Sequence, residues 1–374
     1  MLFRSAVPTA NLQVTGNLFV LSDIYYNEDL TKRSPYLVPS TANAFAIQGW
    51  ISATCNASYQ GQSWWSRTAT PVFSNAAIGP KGTNDYKGSV LLPDGRVMFI
   101  PVAASNIGIY NPYTTAFSAV TPTGSGIKGQ FSGGVLLPNG SVLCIPQTTS
   151  NICTYYPSNL TFSNTTSIPI NVGFDGGILL PTGNIVMIPS TGSNIGMYSA
   201  LANPPVYSNM TATGGGAYVG GVLIPNGNVV MFPYSSTSNI GMYNPTTNPP
   251  IFSNIQVTGG APSCQGSVLA PNGNVIGIPL TNSNVGVFNP TTLAYSNIAM
   301  STTGGFITGG LLPSGNIIMC PFTNSNIGMV DPVALTYSNC ARATGYAGTT
   351  VLPSGRVVFT PFTASNVEIG RAHV

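Results

Sequence analysis

One phrase returns seven times along this 374-residue chain and constrains its fold more than any other feature. It reads Leu92-Pro93-Asp94-Gly95, Leu137-Pro138-Asn139-Gly140, Leu180-Pro181-Thr182-Gly183 and Ile224-Pro225-Asn226-Gly227. It continues as Ala270-Pro271-Asn272-Gly273, Leu312-Pro313-Ser314-Gly315 and Leu352-Pro353-Ser354-Gly355. The steps between its prolines are 45, 43, 44, 46, 42 and 40 residues. A second phrase, Ser-Asn before Ile or Val, keeps the same beat at Asn106, Asn151, Asn194, Asn239, Asn284, Asn326 and Asn366. A unit of this length buries its apolar surface against copies of itself, so the chain is expected to repeat one supersecondary motif in a ring or stack.

The stretch from Gly220 to Gln256 shows the content of a unit. Gly220-Gly221-Val222-Leu223-Ile224 is a short apolar run, and Pro225-Asn226-Gly227 then supplies Asn-Gly hairpin chemistry, with positive φ expected at both central positions. Asn228 to Phe232 is apolar without alternation, as in a strand covered on both faces, and Pro233 ends it because proline cannot donate to a continuing ladder. Ser238 to Tyr243 gives a third strand closed by Asn244-Pro245, and Pro250 to Asn254 gives a fourth nearer an edge. Four short antiparallel strands in roughly 44 residues make one propeller blade.

This order of Gly-Gly, apolar pair, Pro-Asn-Gly, apolar strand, Tyr-Asn-Pro and aromatic strand resembles the kelch-like repeats of β-propellers, over Gly88 to about Val367. It departs from them after the second strand, where Pro233-Tyr234-Ser235-Ser236 stands in place of a diglycine. The resemblance implies an all-β, seven-bladed propeller of four-stranded antiparallel blades, and the residues before it read as a small strand and helix segment. Fold likeness of this kind does not carry function. Pro71-Val72-Phe73-Ser74-Asn75 matches the outer strand of other units, such as Pro205 to Asn209, without a unit of its own. The last unit lacks that strand, so Val72 to Asn75 is expected to pair with it around Val357 to Val367 and close the ring.

The domain plan is a propeller over 71–367 and a separate segment over 1–70. Residues 1–5 and 368–374 are expected to be non-native. Met1 to Ser5 and Ile369 to Val374 both back-translate into one sequencing-library adapter read in opposite orientations, as at the two ends of an environmental gene fragment. Glu368 then spans the junction, and the single histidine, His373, leaves the chemistry.

Composition excludes several functions. Charged residues make up 5% of the chain, against about 25% in ordinary soluble domains. No basic cluster or stripe exists, so nucleic acid is not an expected partner. No apolar run approaches the roughly 18 residues of a membrane span. Polarity comes from Asn, Ser, Thr, Gly and Tyr, which suits an extracellular or virion surface. The six cysteines, at 55, 144, 153, 264, 320 and 340, show neither metal-ligand spacing nor a compact disulfide pattern. Cys144 and Cys320 stand where second strands carry apolar residues and read as small buried hydrophobes.

The segment before the ring has another grammar. Asn11 to Val20 alternates apolar and polar residues and resembles short phrases of tail-fibre and other virion fibre proteins. Residues 40–55 read as a helix with Ser40 or Thr41 as N-cap. Trp64 and Trp65 either pack that helix on the ring or form a ligand platform.

Catalytic constellations are sparse. Galactose-oxidase-type propellers need histidine, and sialidase-type ones carry Ser-x-Asp-x-Gly-x-Thr-Trp phrases; neither is present in the repeat region. Its acids are Asp85, Asp94, Asp175 and Asp331, of which Asp94 and Asp331 occupy turn slots and Asp175 is the least explained. The repeated Ser-Asn pair reads as turn structure fixing the third strand, or as asparagines lining one mouth of the ring to bind glycans. Binding is expected on loops that vary between units, with Tyr234 in such a loop and Tyr218 and Tyr346 beside glycines before inner strands. The leading expectation is a non-enzymatic structural or adhesion module on a virus or phage particle. It binds protein or glycan, needs no metal or other cofactor, and belongs to a larger virion assembly. A carbohydrate-active enzyme using Asp175, or an acid from outside this stretch of chain, is the alternative, and an intracellular interaction scaffold is a third.

Overall fold

A computed structural model describes residues 72–371, except 78–84, 122, 125–128, 169–172, 192–193, 201, 212–217, 235–238, 258–262 and 343. Seven sheets are arranged as the blades of a propeller. No helix is present among the described residues. The leader residues 1–71 lie outside them, with the expected helix, the fibre-like phrase, Trp64 and Trp65.

Blades 1 to 6 start with the inner strands Tyr86–Leu91, Phe131–Leu136, Phe174–Leu179, Tyr218–Leu223, Cys264–Leu269 and Phe306–Leu311. Each steps outward through three more antiparallel strands, and blade 2 gains a fifth, two-residue strand, Thr123–Gly124, parallel to its outer edge. Blade 7 starts at Tyr346–Val351 and borrows its outer strand from the other end of the ring. That strand, Val72–Ala77, pairs antiparallel with Asn366–Arg371, setting Asn75 opposite Glu368 and Ala76 opposite Val367. The expected closure holds, with the pairing carried farther along the chain than 367. The inner strands also contact one another all the way round, blade 7 against blade 1 included.

Each blade exposes two kinds of end. On the hairpin face lie the Pro-x-Gly turns and the turns between third and fourth strands. On the loop face lie the loops after second strands and the connections between blades. In every blade the first inner residue sits opposite the proline that ends the second strand, as Tyr86 does Pro101 and Tyr218 does Pro233. A bulge in the inner strand follows this pair in all seven blades.

The Pro-x-Gly turn is not the two-residue hairpin expected from Asn-Gly. In blade 4 Ile224 N donates to Asn228 O and Gly227 N to Ile224 O, both at 2.9 Å. Gly227 has φ +88°, and Asn226 is not left-handed. Pro225 fixes φ near −65° at the first turn position, which selects a type I turn closed by a left-handed glycine. The residue between them adds a local bond, Asn228 N to Asn226 Oδ1 at 3.0 Å. The other hairpin-face turn is held by its Asn or Asp, whose Oδ1 accepts from the backbone two residues on, as Asn244 does from Thr246 N and Asp331 from Val333 N, each at 2.9 Å.

Second strands are buried throughout, Val229–Pro233 for example, which explains their unbroken apolar sequence. The core lies between successive blades. Tyr86, Phe99 and Tyr110 of blade 1 pack with Val358, Val367 and Ile369 of blade 7, so closure is a continuous apolar contact as well as a ladder. At the centre the strands approach as closely as glycine allows. A Cβ on Gly88 would lie 3.1 Å from Ser132 O, and one on Gly220 3.1 Å from Gly266 Cα.

Candidate functional site

The second residue of the inner strand differs in every blade: Lys87, Ser132, Asp175, Val219, Gln265, Ile307 and Ala347. These seven form a circle at the loop-face mouth of the central opening, one step inside the aromatic that heads the strand. Lys87 and Asp175 belong to blades 1 and 3, yet their side chains meet across blade 2, with Nζ 2.6 Å from Oδ1 and 2.7 Å from Oδ2. Only 13% of the lysine side chain and 7% of the aspartate side chain are exposed. Burial raises the affinity of Asp175 for its proton, opposed by the charge and the hydrogen bond of Lys87. Ser132 Oγ donates to Phe174 O at 2.7 Å, tying blade 2 to blade 3 beneath the pair. The acid left unexplained by the repeat is therefore half of a salt bridge spanning three blades.

The mouth is divided. Blades 1 to 3 supply Lys87, Ser132 and Asp175, while Val219, Ile307 and Ala347 of blades 4, 6 and 7 are apolar and buried. Gln265 of blade 5 interrupts the apolar arc between Val219 and Ile307, and its buried Oε1 meets no hydrogen-bond partner among the described residues. A related division appears one step outward, at the residue after each second-strand proline: Gln147 and Ser190 stand there in blades 2 and 3, Tyr234, Leu280, Phe322 and Phe362 in blades 4 to 7, and Val102 joins the apolar side in blade 1. Gln147, Ser190, Leu280, Phe322 and Phe362 are anchored by backbone bonds to the entry of an inner strand, as Gln147 N is to Gln130 O and Phe362 N to Gly345 O, both at 2.8 Å. Tyr234 is exposed, and Phe322 and Phe362 are half-buried against each other with ring centres 5.4 Å apart.

Of the residues expected to bind, Tyr234 lies on this rim. Tyr218 and Tyr346 do not: both rings are fully buried, and their hydroxyls donate to Asn254 at 2.9 Å and Asn366 at 2.6 Å. They head inner strands where Tyr86, Phe131, Phe174 and Phe306 stand in other blades, so this is a core position. Recurrence in six of seven units was the signal for that. The repeated asparagines stand two strands out from the axis, which keeps them off the channel lip. Asn106, like Asn366, accepts a hydroxyl hydrogen, in its case from Tyr86. Asn326 donates to Asn324, Asn151, Asn194 and Asn239 are partly buried, and Asn284 is exposed. Residues of the outer mouth circle were legible only by aligning the repeats and asking where they differ.

The opposite face offers less. A cleft of about 230 Å³ between the turns of blades 4 to 6 is lined by Pro225, Leu269, Pro271, Asn272 and Leu311, among others. That is below the usual 300–1,000 Å³ of small-molecule sites. Among the described residues no group of three or more histidine, cysteine or carboxylate side chains gathers as a metal site. No helix there is long and apolar enough to cross a membrane.

No protein-family model and no curated protein matches this chain. Solved structures do match, at the level of fold. A streptogramin B lyase is 14% identical over 80% of this chain and 97% of its own, with a TM-score of 0.69. Virginiamycin B lyase from Staphylococcus aureus is 11% identical over 80% of this chain and 99% of its own, also at 0.69. The extracellular domain of a one-component system from B. thetaiotaomicron gives 0.63 at 11% identity, over 80% of this chain and 40% of that one. Two of these three are enzymes, which corrects the expectation of a non-enzyme. That expectation rested on the lack of a familiar motif in the sequence. A propeller assembles its mouth from single residues of different blades, so sequence spacing does not reveal or exclude a catalytic group there.

Proposed function

We propose that this propeller is a recognition module that binds a glycan at the loop-face mouth, displayed on an extracellular surface or a virus particle. The divided mouth carries this reading. A sugar presents hydroxyls along its edge and C–H groups on its face, and the two arcs supply a counterpart to each. Ser132, Gln147, Ser190, the Gln265 amide and the Lys87–Asp175 pair offer donors and acceptors. Tyr234, Phe322 and Phe362 offer aromatic surface. The scarcity of charge, 5% of residues, favours a neutral ligand held by hydrogen bonds and stacking. The kelch-like order of the repeat and the fibre-like leader phrase belong to the same reading, as features of a display scaffold.

A glycan array probed with the full chain, followed by calorimetry on any hit, tests it. Tyr234→Ala is expected to weaken binding about tenfold, the equivalent of one lost stacking contact. Gln265→Ala is expected to weaken it less. Failure to bind any glycan, or binding indifferent to both changes, overturns the reading.

One observation favours a second reading, a carbohydrate-active enzyme. Asp175 is a buried carboxyl with raised proton affinity beside an ammonium group, the kind of environment that tunes a general acid. Mass spectrometry of the bound glycan distinguishes the two. Turnover that Asp175→Asn abolishes while binding persists selects the enzyme.

A further inference from the structure

Blade 2 departs from its counterparts at one cross-strand pair. Where second and third strands face each other, Phe99 lies opposite Gly108, Met187 opposite Gly196, Met231 opposite Gly241, Gly277 opposite Gly286 and Met319 opposite Gly328. Five blades thus place a glycine on the third strand, which leaves room for the aromatics packed over it. A Cβ on Gly108 would come within 2.9 Å of Phe117 and 3.0 Å of Phe99. In blade 2 both members of the pair have changed, and Cys144 lies opposite Cys153.

The register sets both side chains on one face of the blade, where the Cys153 thiol donates to Asn164 Oδ1 at 2.8 Å. Directly opposed residues of an antiparallel pair have Cα atoms about 4.5–5.5 Å apart and side chains on one face. At the same place in blade 1, a Cβ built on Gly108 lies 3.2 Å from Phe99 Cβ. A disulfide takes Cβ atoms about 3.5–4.5 Å apart and Cα atoms about 4.4–6.8 Å apart, so the pair bridges with a slight widening. Both side chains belong to one core cluster and are almost wholly buried. None of the other described cysteines, Cys264, Cys320 and Cys340, faces a cysteine in register. A lone buried cysteine is an ordinary small hydrophobe. Two that replace a bulky residue and a glycine on facing strands have the geometry of a bridge.

We propose that Cys144 and Cys153 form a disulfide that staples the second and third strands of blade 2 as the chain folds. With oxidised glutathione as the acceptor, one protein thiolate attacks its S–S bond, forms a mixed disulfide and releases one glutathione thiolate. The second protein thiolate attacks the cysteine sulfur of that mixed disulfide and releases the other glutathione. Two thiol protons are lost and two electrons reduce the glutathione disulfide. The reaction belongs to folding rather than to the finished ring. Once the blade packs, burial holds both thiols protonated, with Cys153 pushed up to about 12, and the thiolate needed for attack is scarce. The same burial shields the finished bond from reductants. A chain built this way matures in an oxidising compartment.

The full chain is unfolded in urea with reductant, then refolded either in a glutathione redox buffer or in dithiothreitol. Each sample is alkylated in urea and mapped by mass spectrometry. After oxidative refolding the peptides of Cys144 and Cys153 are expected to be joined, two hydrogens lighter than the pair, with the other four of the six cysteines alkylated. The joined peptide should resist dithiothreitol while the protein is folded and separate once urea is added. Cys153→Gly, which gives blade 2 the glycine of its neighbours, should fold and yield no bridged peptide. Alkylation of both cysteines after oxidative refolding overturns the proposal, as does a bridge from either to a different cysteine.

Discussion

Blades 4 and 7 are built on the same register, yet one is continuous in the chain and the other is assembled from both ends of the ring. In blade 4 the outer-strand ring of Phe252 lies over Gly241 and meets Tyr218 edge-on at 5.9 Å. Tyr243 fills the next inward position. In blade 7 the glycine position is Glu368 and the Tyr243 position is Gly370. The outer ring has moved accordingly: a Cβ on Gly370 would lie 2.5 Å from Phe73, and Phe73 carries the Arg342 guanidinium 4.8 Å above it. Arg342 in turn reaches Glu368 at 3.6 Å. The comparison teaches that the ladder tolerates a changed side-chain plan. It also shows that the ring is closed by backbone pairing and apolar packing, not by a copied blade core.

The sharpest way to break the comparison is to remove the borrowed strand. Shortening the chain to begin at residue 78 rather than 71 strips six ladder pairs and the packing of Phe73 and Ala76 from blade 7, while blade 4 keeps everything. The loss is expected at about 3–5 kcal/mol, from roughly 1 kcal/mol per net hydrogen bond and the buried apolar surface together. Urea unfolding of the two truncations measures the difference, and a synthetic 72–77 peptide should restore part of it. Equal midpoints would mean that the ring closes without this strand.

The borrowed strand was legible in the sequence because Val72-Phe73-Ser74-Asn75 repeats a phrase whose partner was missing at the other end. Period, blade count and turn positions were legible for the same reason: turn chemistry is local, and each unit restates it. The mouth was not. Lys87 and Asp175 are 88 residues apart, and their contact depends on two blades flanking a third, which no spacing rule encodes. Asp175 could be noticed as an acid without a turn role, whereas Lys87 carried no signal of its own. Tyr218 and Tyr346 were misplaced because an aromatic beside a glycine suggests an exposed platform, and the decisive clue lay in the equivalent residues of other units. The turn type was missed by reading Asn-Gly without weighing the proline before it.

Glu368 offers a way to sharpen the contrast. Its carboxyl is almost fully buried, with Oε2 lacking a partner among the described residues, and burial raises its pKa against the pull of Tyr346 and Arg342. A carboxyl whose folded pKa lies above its unfolded value stabilises the fold below the unfolded value, and that stability is lost as pH rises through the folded one. Asp175 shifts the same way. Asp94 shifts the opposite way, but its side chain is half exposed beside Arg96, so its contribution is screened. Resistance to urea is therefore expected to fall as pH rises from about 4 toward 8, and Glu368→Gln should flatten part of that slope. Glu368→Gly with Gly370→Tyr, which copies the blade 4 plan, should raise stability by about 1–3 kcal/mol at neutral pH by removing a buried charge and filling space with an aromatic ring. A slope unchanged in Glu368→Gln would show that this carboxyl ionises as freely folded as unfolded.

The smallest expected difference concerns how each blade satisfies the same buried hydroxyl. Tyr218 and Tyr346 head their inner strands identically, but blade 4 answers with Asn254 from the outer strand and blade 7 with Asn366 from the start of the third. The reason is steric: in blade 7 the Glu368 side chain occupies the core beside Tyr346, and Asn75 on the outer strand stays exposed. Removing one partner of a buried pair costs about 1–2 kcal/mol, whereas changing an asparagine without such a role stays within about 0.5 kcal/mol. Asn254→Ala and Asn366→Ala should therefore each destabilise by about 1–2 kcal/mol, while Asn239→Ala and Asn75→Ala, at the reciprocal positions, should be near neutral. Combining Asn366→Ala with Tyr346→Phe should recover most of the loss, because the orphaned hydroxyl goes with the ring oxygen. If all four single changes cost the same, the asparagines act through the turns they begin, and the two blades are alike after all.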